Sequence, residues 1–104
     1  MLQLNLMERK LVSPEIFQAF CQKRHIRSVA FFGSVVRDDF RPESDIDVLV
    51  EFEEGHTPGL EFFAIEAELS GLIGRKVDLQ TSKFLSPDIL QNALSEAVVA
   101  YEQA

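Results

Sequence analysis

Three aspartates and a Gly-Ser pair are the residues of this sequence whose types and spacing suit chemistry. Asp45 and Asp47 stand one residue apart in Ser44-Asp45-Ile46-Asp47-Val48-Leu49-Val50. On an extended strand, residues i and i+2 project from one face with Cα atoms roughly 6–7 Å apart. Carboxylates so placed could bracket one or two divalent cations. Paired cations about 3.5–4 Å apart clamp the attacking and leaving oxygens of a phosphoryl transfer. Mg²⁺ prefers oxygen ligands and usually keeps substrate phosphate in its shell. An isolated Asp-x-Asp is more often a solvated strand edge. Here the acids open a run that otherwise reads as a central apolar strand, where charge is costly. Asp78 lies on a third strand, again opposite the apolar face. Three carboxylates on one sheet face repel strongly unless a cation sits among them.

Gly33-Ser34 follows the apolar run Ser28-Val29-Ala30-Phe31-Phe32. A glycine there lets the backbone turn sharply and approach a ligand closely. Amides at the start of a following short helix would cradle phosphate oxygens, and the Ser34 hydroxyl can add one hydrogen bond. A Gly-Ser pair occurs by chance in most proteins, so its weight comes from its position after the first strand.

The elements that must position these residues are legible from pattern. Ser13-Pro14 reads as an N-cap and first-turn proline, opening a helix over about 14–24. Residues 28–32 predict a strand buried on both faces, and 35–37 a short helical turn. From 45 to 52 the alternation predicts a strand with Ile46, Val48, Val50 and Phe52 on one face and Asp45, Asp47, Leu49 and Glu51 on the other. A turn-rich loop follows over 53–58. A helix over 60–73 is apolar over a wide arc (Phe62, Phe63, Ile65, Leu69, Leu72). A third strand covers 76–80, with Val77 and Leu79 opposite Asp78. Ser86-Pro87 repeats the cap-plus-proline signal, and a last helix runs to about 101 with Leu90, Leu94, Ala97 and Val98 facing the core. The prediction is an α+β chain with a mixed sheet, about three main strands packed with about four helices.

The other candidate residues weigh less. His25 follows the first helix and His56 sits in a turn; neither has a spaced partner that suggests a metal site, and both read as structural or exposed. Cys21 reads as a helix-packing residue, since nothing nearby in sequence would lower its pKa. Glu51, Glu53 and Glu54 read as a solvated acid run. Arg75 and Lys76 could reach a phosphate, but read better as a solvated pair at a strand start.

Bulk properties bound the reading. The chain has 104 residues, 46 % hydrophobic and 26 % charged, with nine Phe and no Trp. That predicts one domain over 1–104 with a modest core. The net charge of −7 argues against direct nucleic-acid binding, which wants a basic face. It is compatible with a nucleotide held through metal ions, or with a basic protein partner. One cysteine excludes an intrachain disulfide. The first twelve residues carry Glu8, Arg9 and Lys10, so they read as neither signal peptide nor membrane span, and the expected location is cytoplasmic.

Taken together, Gly33-Ser34, ten residues, then Asp45-Ile46-Asp47 resembles the G-S-x10-D-x-D signature of the minimal nucleotidyltransferase (MNT) family, within the polymerase-beta-like nucleotidyltransferase superfamily. Arg37 and the later Val77-Asp78-Leu79 strand extend the likeness over most of the chain. The resemblance implies the polymerase-beta-like core. It implies that Gly33 and Ser34, with Ser44 nearby, hold the phosphates of a nucleoside triphosphate. Asp45 and Asp47 would bind Mg²⁺, two ions in all, and Asp78 would be the third carboxylate that orients or deprotonates the attacking hydroxyl. Arg37 would lie near the phosphates; the alternative for it is an ion pair with Asp38 or Asp39. Many members carry glycine after that arginine, where this chain has Asp38.

Members this short are similar to antitoxins encoded beside HEPN-domain ribonucleases. Some of these transfer AMP from ATP to a tyrosine of the HEPN toxin, in a type VII-like toxin–antitoxin pair. The implied activity is therefore Mg²⁺-dependent protein adenylyl transfer, with the toxin as partner. At this length the acceptor surface is expected from elsewhere, in a homo- or hetero-oligomer. Two alternatives stand beside it: an antitoxin that neutralises its partner by binding alone, and an enzyme that modifies a small molecule such as an antibiotic hydroxyl.

Overall fold

The structure is a computed structural model that describes residues 12–36 and 45–103, with the backbone alone at Ser34 and Val35. Arg37, Asp38 and Ser44 lie outside the described residues. The elements run α1 (Pro14–Lys23), β1 (Ile26–Phe32), β2 (Ile46–Phe52), α2 (Glu61–Ile73), β3 (Val77–Gln80), α3 (Pro87–Glu96) and β4 (Val98–Glu102). Single 3-10 turns cover Gly33–Val36 and Ser82–Phe84.

Local chemistry sets the helix boundaries. The Ser13 hydroxyl accepts the Ile16 amide at 3.2 Å and Pro14 fills the first turn. Ser86 and Pro87 do the same for α3, with the Ile89 amide at 3.4 Å. Such caps each contribute about 1 kcal/mol. α2 has no side-chain cap, and ends at Gly74 with φ of 79°, a left-handed conformation that glycine adopts without steric cost.

The four strands form one mixed sheet in the order β3-β2-β1-β4. β1 and β2 are antiparallel, with Val29 opposite Val50 and Phe31 opposite Val48. β2 and β3 are parallel, with Ile46 beside Val77 and Val48 beside Leu79. Period-two alternation sends all of these side chains to one face. There they meet Phe17, Phe20 and Cys21 of α1 and Ile65, Leu69 and Ile73 of α2 in one buried cluster. Two further contacts tie the layers. Glu68 of α2 takes Lys23 and Arg24 at the end of α1, at 2.5 and 2.6 Å. The edge strand β3 has its amides covered: Val77 donates to the Ser70 hydroxyl at 3.0 Å and Leu79 to the Glu66 carboxylate at 2.8 Å. An edge treated this way offers less template for a foreign strand.

Several sequence expectations change. The last helix stops at Glu96, and Ala97 turns extended with ψ of 143°. Residues 98–102 become β4, pairing antiparallel with β1 through Val98 opposite Phe31 and Val99 opposite Ala30. The physical reason is that β1 would otherwise leave one row of backbone groups without partners, while Val98, Val99 and Tyr101 suit a strand. Leu94 is consequently 56 % exposed, and Ala93 is the buried contact of α3. Among the described residues the count becomes four strands and three α-helices. β1 begins at Ile26, and only one of its faces is fully buried: Ala30 and Phe32 are half-buried. In α2 the buried line is Ile65, Leu69 and Ile73, with Phe63 66 % exposed. No described helix is long and apolar enough to cross a membrane.

Candidate functional site

The face of the sheet opposite the main core carries the acids. Cross-strand neighbours in register share a face, and Asp47 stands beside Asp78 across the parallel β2–β3 pair. Neighbouring strands lie about 4.8 Å apart. On its other side Asp47 stands opposite Phe32, the last residue of β1. The next residue is Gly33, which therefore begins its turn directly against Asp47.

That contact is tight. Gly33 has φ of 77°, and a methyl group at its Cα would overlap Asp47 Oδ2 and lie 3.1 Å from Cγ. Only glycine permits both the left-handed turn and the approach of the carboxylate. The Gly33 amide donates to Glu96 Oε2 at 2.9 Å, at the last residue of α3. α3 contacts both β1 and the Gly33–Val36 turn, so Glu96 is delivered to the glycine by the helix that lies over this end of the sheet.

Asp45 directly precedes β2 and is exposed, with Lys76 Nζ 3.9 Å from its Oδ2. The strand start is fixed there by the Ile46 amide donating to the Lys76 carbonyl at 2.9 Å. Asp78 is half-buried and accepts the side-chain amide of Gln80 at 3.0 Å. Thus Gly33, Asp47 and Asp78 meet on one sheet face, with Asp45 at its entrance. The donor set is all oxygen, the chemistry that suits a hard cation such as Mg²⁺, and the space left by the missing Gly33 side chain is taken by the Asp47 carboxylate itself. The three carboxylates are not drawn into one tight group. Among the described residues, the three-ligand group whose candidate atoms all fall within 4.8 Å is His25, Glu53 and His56, at the other end of β1 and β2. The groove of about 490 Å³ lined by Phe52, Phe62, Phe63, Thr81 and Phe84 also lies toward that end and includes none of the three aspartates.

Sequence reasoning missed Glu96 and the His25 group. Glu96 had no signal, because the helix was expected to continue through it. His25 and His56 are 31 residues apart, and only the antiparallel β1–β2 pairing, which sets Ile26 opposite Phe52, brings their surroundings together.

A family profile described as nucleotidyltransferase domain matches residues 13–100. The chain is similar to the protein adenylyltransferase MntA of Thermococcus cleftensis, 39 % identical over 74 residues, or 70 % of this chain and 73 % of that one. It is also similar to a candidate protein adenylyltransferase of Methanocaldococcus jannaschii, 39 % identical over 79 residues, or 75 % of this chain and 79 % of that one. A solved candidate minimal nucleotidyltransferase superposes with a TM-score of 0.71 at 33 % identity, over 92 % of this chain and 96 % of that one. A toxin–antitoxin crystal structure with AMP-PNP gives 0.72 at 15 % identity over 88 % and 75 % of the two chains, a likeness of fold.

Proposed function

The chain belongs to the nucleotidyltransferase domain family, and on that premise we propose that it transfers AMP from ATP to a tyrosine hydroxyl of a HEPN-type toxin, as the antitoxin of the pair. The observation that carries this reading is the close approach of Asp47 to Gly33, with Asp78 beside Asp47 in the sheet. A glycine turn beside paired acids is an arrangement that suits a triphosphate and its metal. The relatives named as protein adenylyltransferases support the choice of AMP and of a protein acceptor.

In this reading the Gly33 amide and the Ser34 hydroxyl hold the terminal phosphates, with Arg37 and Ser44 adding polar contacts. Asp45 and Asp47, with Asp78, would hold Mg²⁺, two ions in all, which supplies charge neutralisation on the phosphates and the departing pyrophosphate. Asp78 orients the acceptor hydroxyl and takes its proton. The hydroxyl oxygen forms a bond to the α-phosphorus as the bond from that phosphorus to pyrophosphate breaks. Holding both reactants in line supplies much of the rate, so Asp78 on the half-buried strand β3 acts chiefly by position. The acceptor tyrosine comes from the partner, which makes the assembly a hetero-oligomer.

The test is incubation with labelled ATP, Mg²⁺ and the product of the neighbouring gene. Label should pass to that protein, and Asp45→Asn with Asp47→Asn should abolish transfer. Transfer undiminished by the double substitution would sink the reading. A second reading, neutralisation by binding alone, is favoured by one observation: the Gly33 amide already serves the Glu96 carboxylate. It predicts that the double variant still neutralises the partner in cells at equal expression.

A further inference from the structure

His25, Glu53 and His56 converge at the end of the sheet remote from the aspartates. Glu53 lies six residues beyond Asp47 along β2, roughly 20 Å on an extended strand, so an ion there is not shared with Asp47. Three backbone features assemble the group. The Glu53 amide donates to the His25 carbonyl at 2.8 Å, continuing the β1–β2 ladder. The His56 amide donates to the Glu53 carbonyl at 3.0 Å, folding the loop back. His25 itself adopts φ of 57°, the one positive φ among described non-glycine residues. That conformation is unfavourable for most side chains, and it turns His25 toward the loop.

We propose that His25, Glu53 and His56 form a second metal site, for a borderline transition ion such as Zn²⁺, that fastens the β2–α2 loop to the start of β1. The donor chemistry is two imidazole nitrogens and one carboxylate oxygen, the set that suits Zn²⁺ and its neighbours rather than Mg²⁺. All three candidate atoms lie within 4.8 Å of one another. His25 Nδ1 and Glu53 Oε1 are 3.5 Å apart. This is long for a hydrogen bond, yet it matches the edge of a tetrahedron with bonds of about 2.1 Å, which is about 3.4 Å. The imidazoles of His25 and His56 stack with centroids 4.0 Å apart and planes 13° from parallel. In that stack the in-plane lone pairs of the two rings run nearly parallel, so ligation of one ion requires the exposed His56 ring to turn toward His25 and Glu53. Glu53 is already held by the Gln103 side-chain amide at 2.5 Å on its other oxygen, the outer contact that orients a ligating carboxylate. Three protein ligands leave a fourth position for water.

The probes are Zn²⁺ and Co²⁺ added to the full chain carrying Asp45→Asn and Asp47→Asn, which removes the other cation site. One equivalent of Co²⁺ should give the visible absorption of a tetrahedral ion, and Zn²⁺ should displace it and raise the melting temperature. His56→Ala and, separately, His25→Asn should each weaken binding at least tenfold. Asparagine tolerates the left-handed backbone, so that variant keeps the fold. Absence of the Co²⁺ spectrum, or affinity unchanged in both variants, would overturn the proposal. Neither result bears on AMP transfer, which is read separately.

Discussion

The amide of Gly33 and the carboxylate of Glu96 share a hydrogen bond of 2.9 Å. In the proposed function this amide is a donor to the nucleotide phosphates, and on that reading an incoming triphosphate competes with the chain's own carboxylate. Hydrogen bonds to charged groups exceed neutral ones by about 1 kcal/mol. Glu96→Gln should therefore lower the KM for MgATP by about fivefold, with kcat little changed, in steady-state transfer assays. A raised KM would instead make Glu96 part of the nucleotide site.

Gly33→Ala should be severe. The added methyl overlaps Asp47 Oδ2 and must be carried at φ of 77°. Left-handed strain alone costs about 1–3 kcal/mol. The denaturation midpoint should fall and AMP transfer should be lost, because Asp47 is pushed from its place. A variant with wild-type midpoint and activity would contradict the contact.

Glu66 is a structural acid, and its removal tests the edge of the sheet. Its carboxylate accepts the Leu79 amide. Leaving a buried donor unpaired costs about 1–3 kcal/mol, so Glu66→Ala should shift the urea midpoint down while Glu66→Gln recovers part of the loss. Equal effects of the two substitutions would show that the hydrogen bond contributes nothing.

Acid stability should depend on Glu68. The Lys23 ammonium hydrogen-bonded to it, and then Arg24, hold its carboxyl below the ordinary 4.5, against a smaller opposing effect of burial. The unfolded chain binds this proton more readily than the folded one. The stabilisation is therefore complete above about pH 4.5 and is lost as pH falls through the lower folded value. Glu68→Gln should flatten that acid limb in melting temperatures taken from pH 3 to 6.

Cys21 is fully buried, and burial pushes its thiol up to about 12. A thiol reagent at pH 8 should react only when the chain opens, at a rate that rises with urea. Fast labelling of the native protein would show that α1 is not packed against the sheet.

The sequence by itself determined the caps at Ser13 and Ser86, the alternation in β2, and the order of glycine turn, paired acids and third acid. These are local or periodic signals, written in adjacent residues. It also carried the family likeness, since that rests on ordered spacing. Tertiary structure alone decided the rest. β4 forms because β1 has an edge to fill, and a helical run of small and apolar residues cannot announce that need. Asp47 meets Gly33 and Asp78 because the register of three strands sets them side by side. Glu96 reaches the Gly33 amide because α3 ends where β4 must begin. His25, Glu53 and His56 gather because antiparallel pairing returns the end of β2 to the start of β1. Each depends on contacts between residues distant in sequence, which local pattern does not encode.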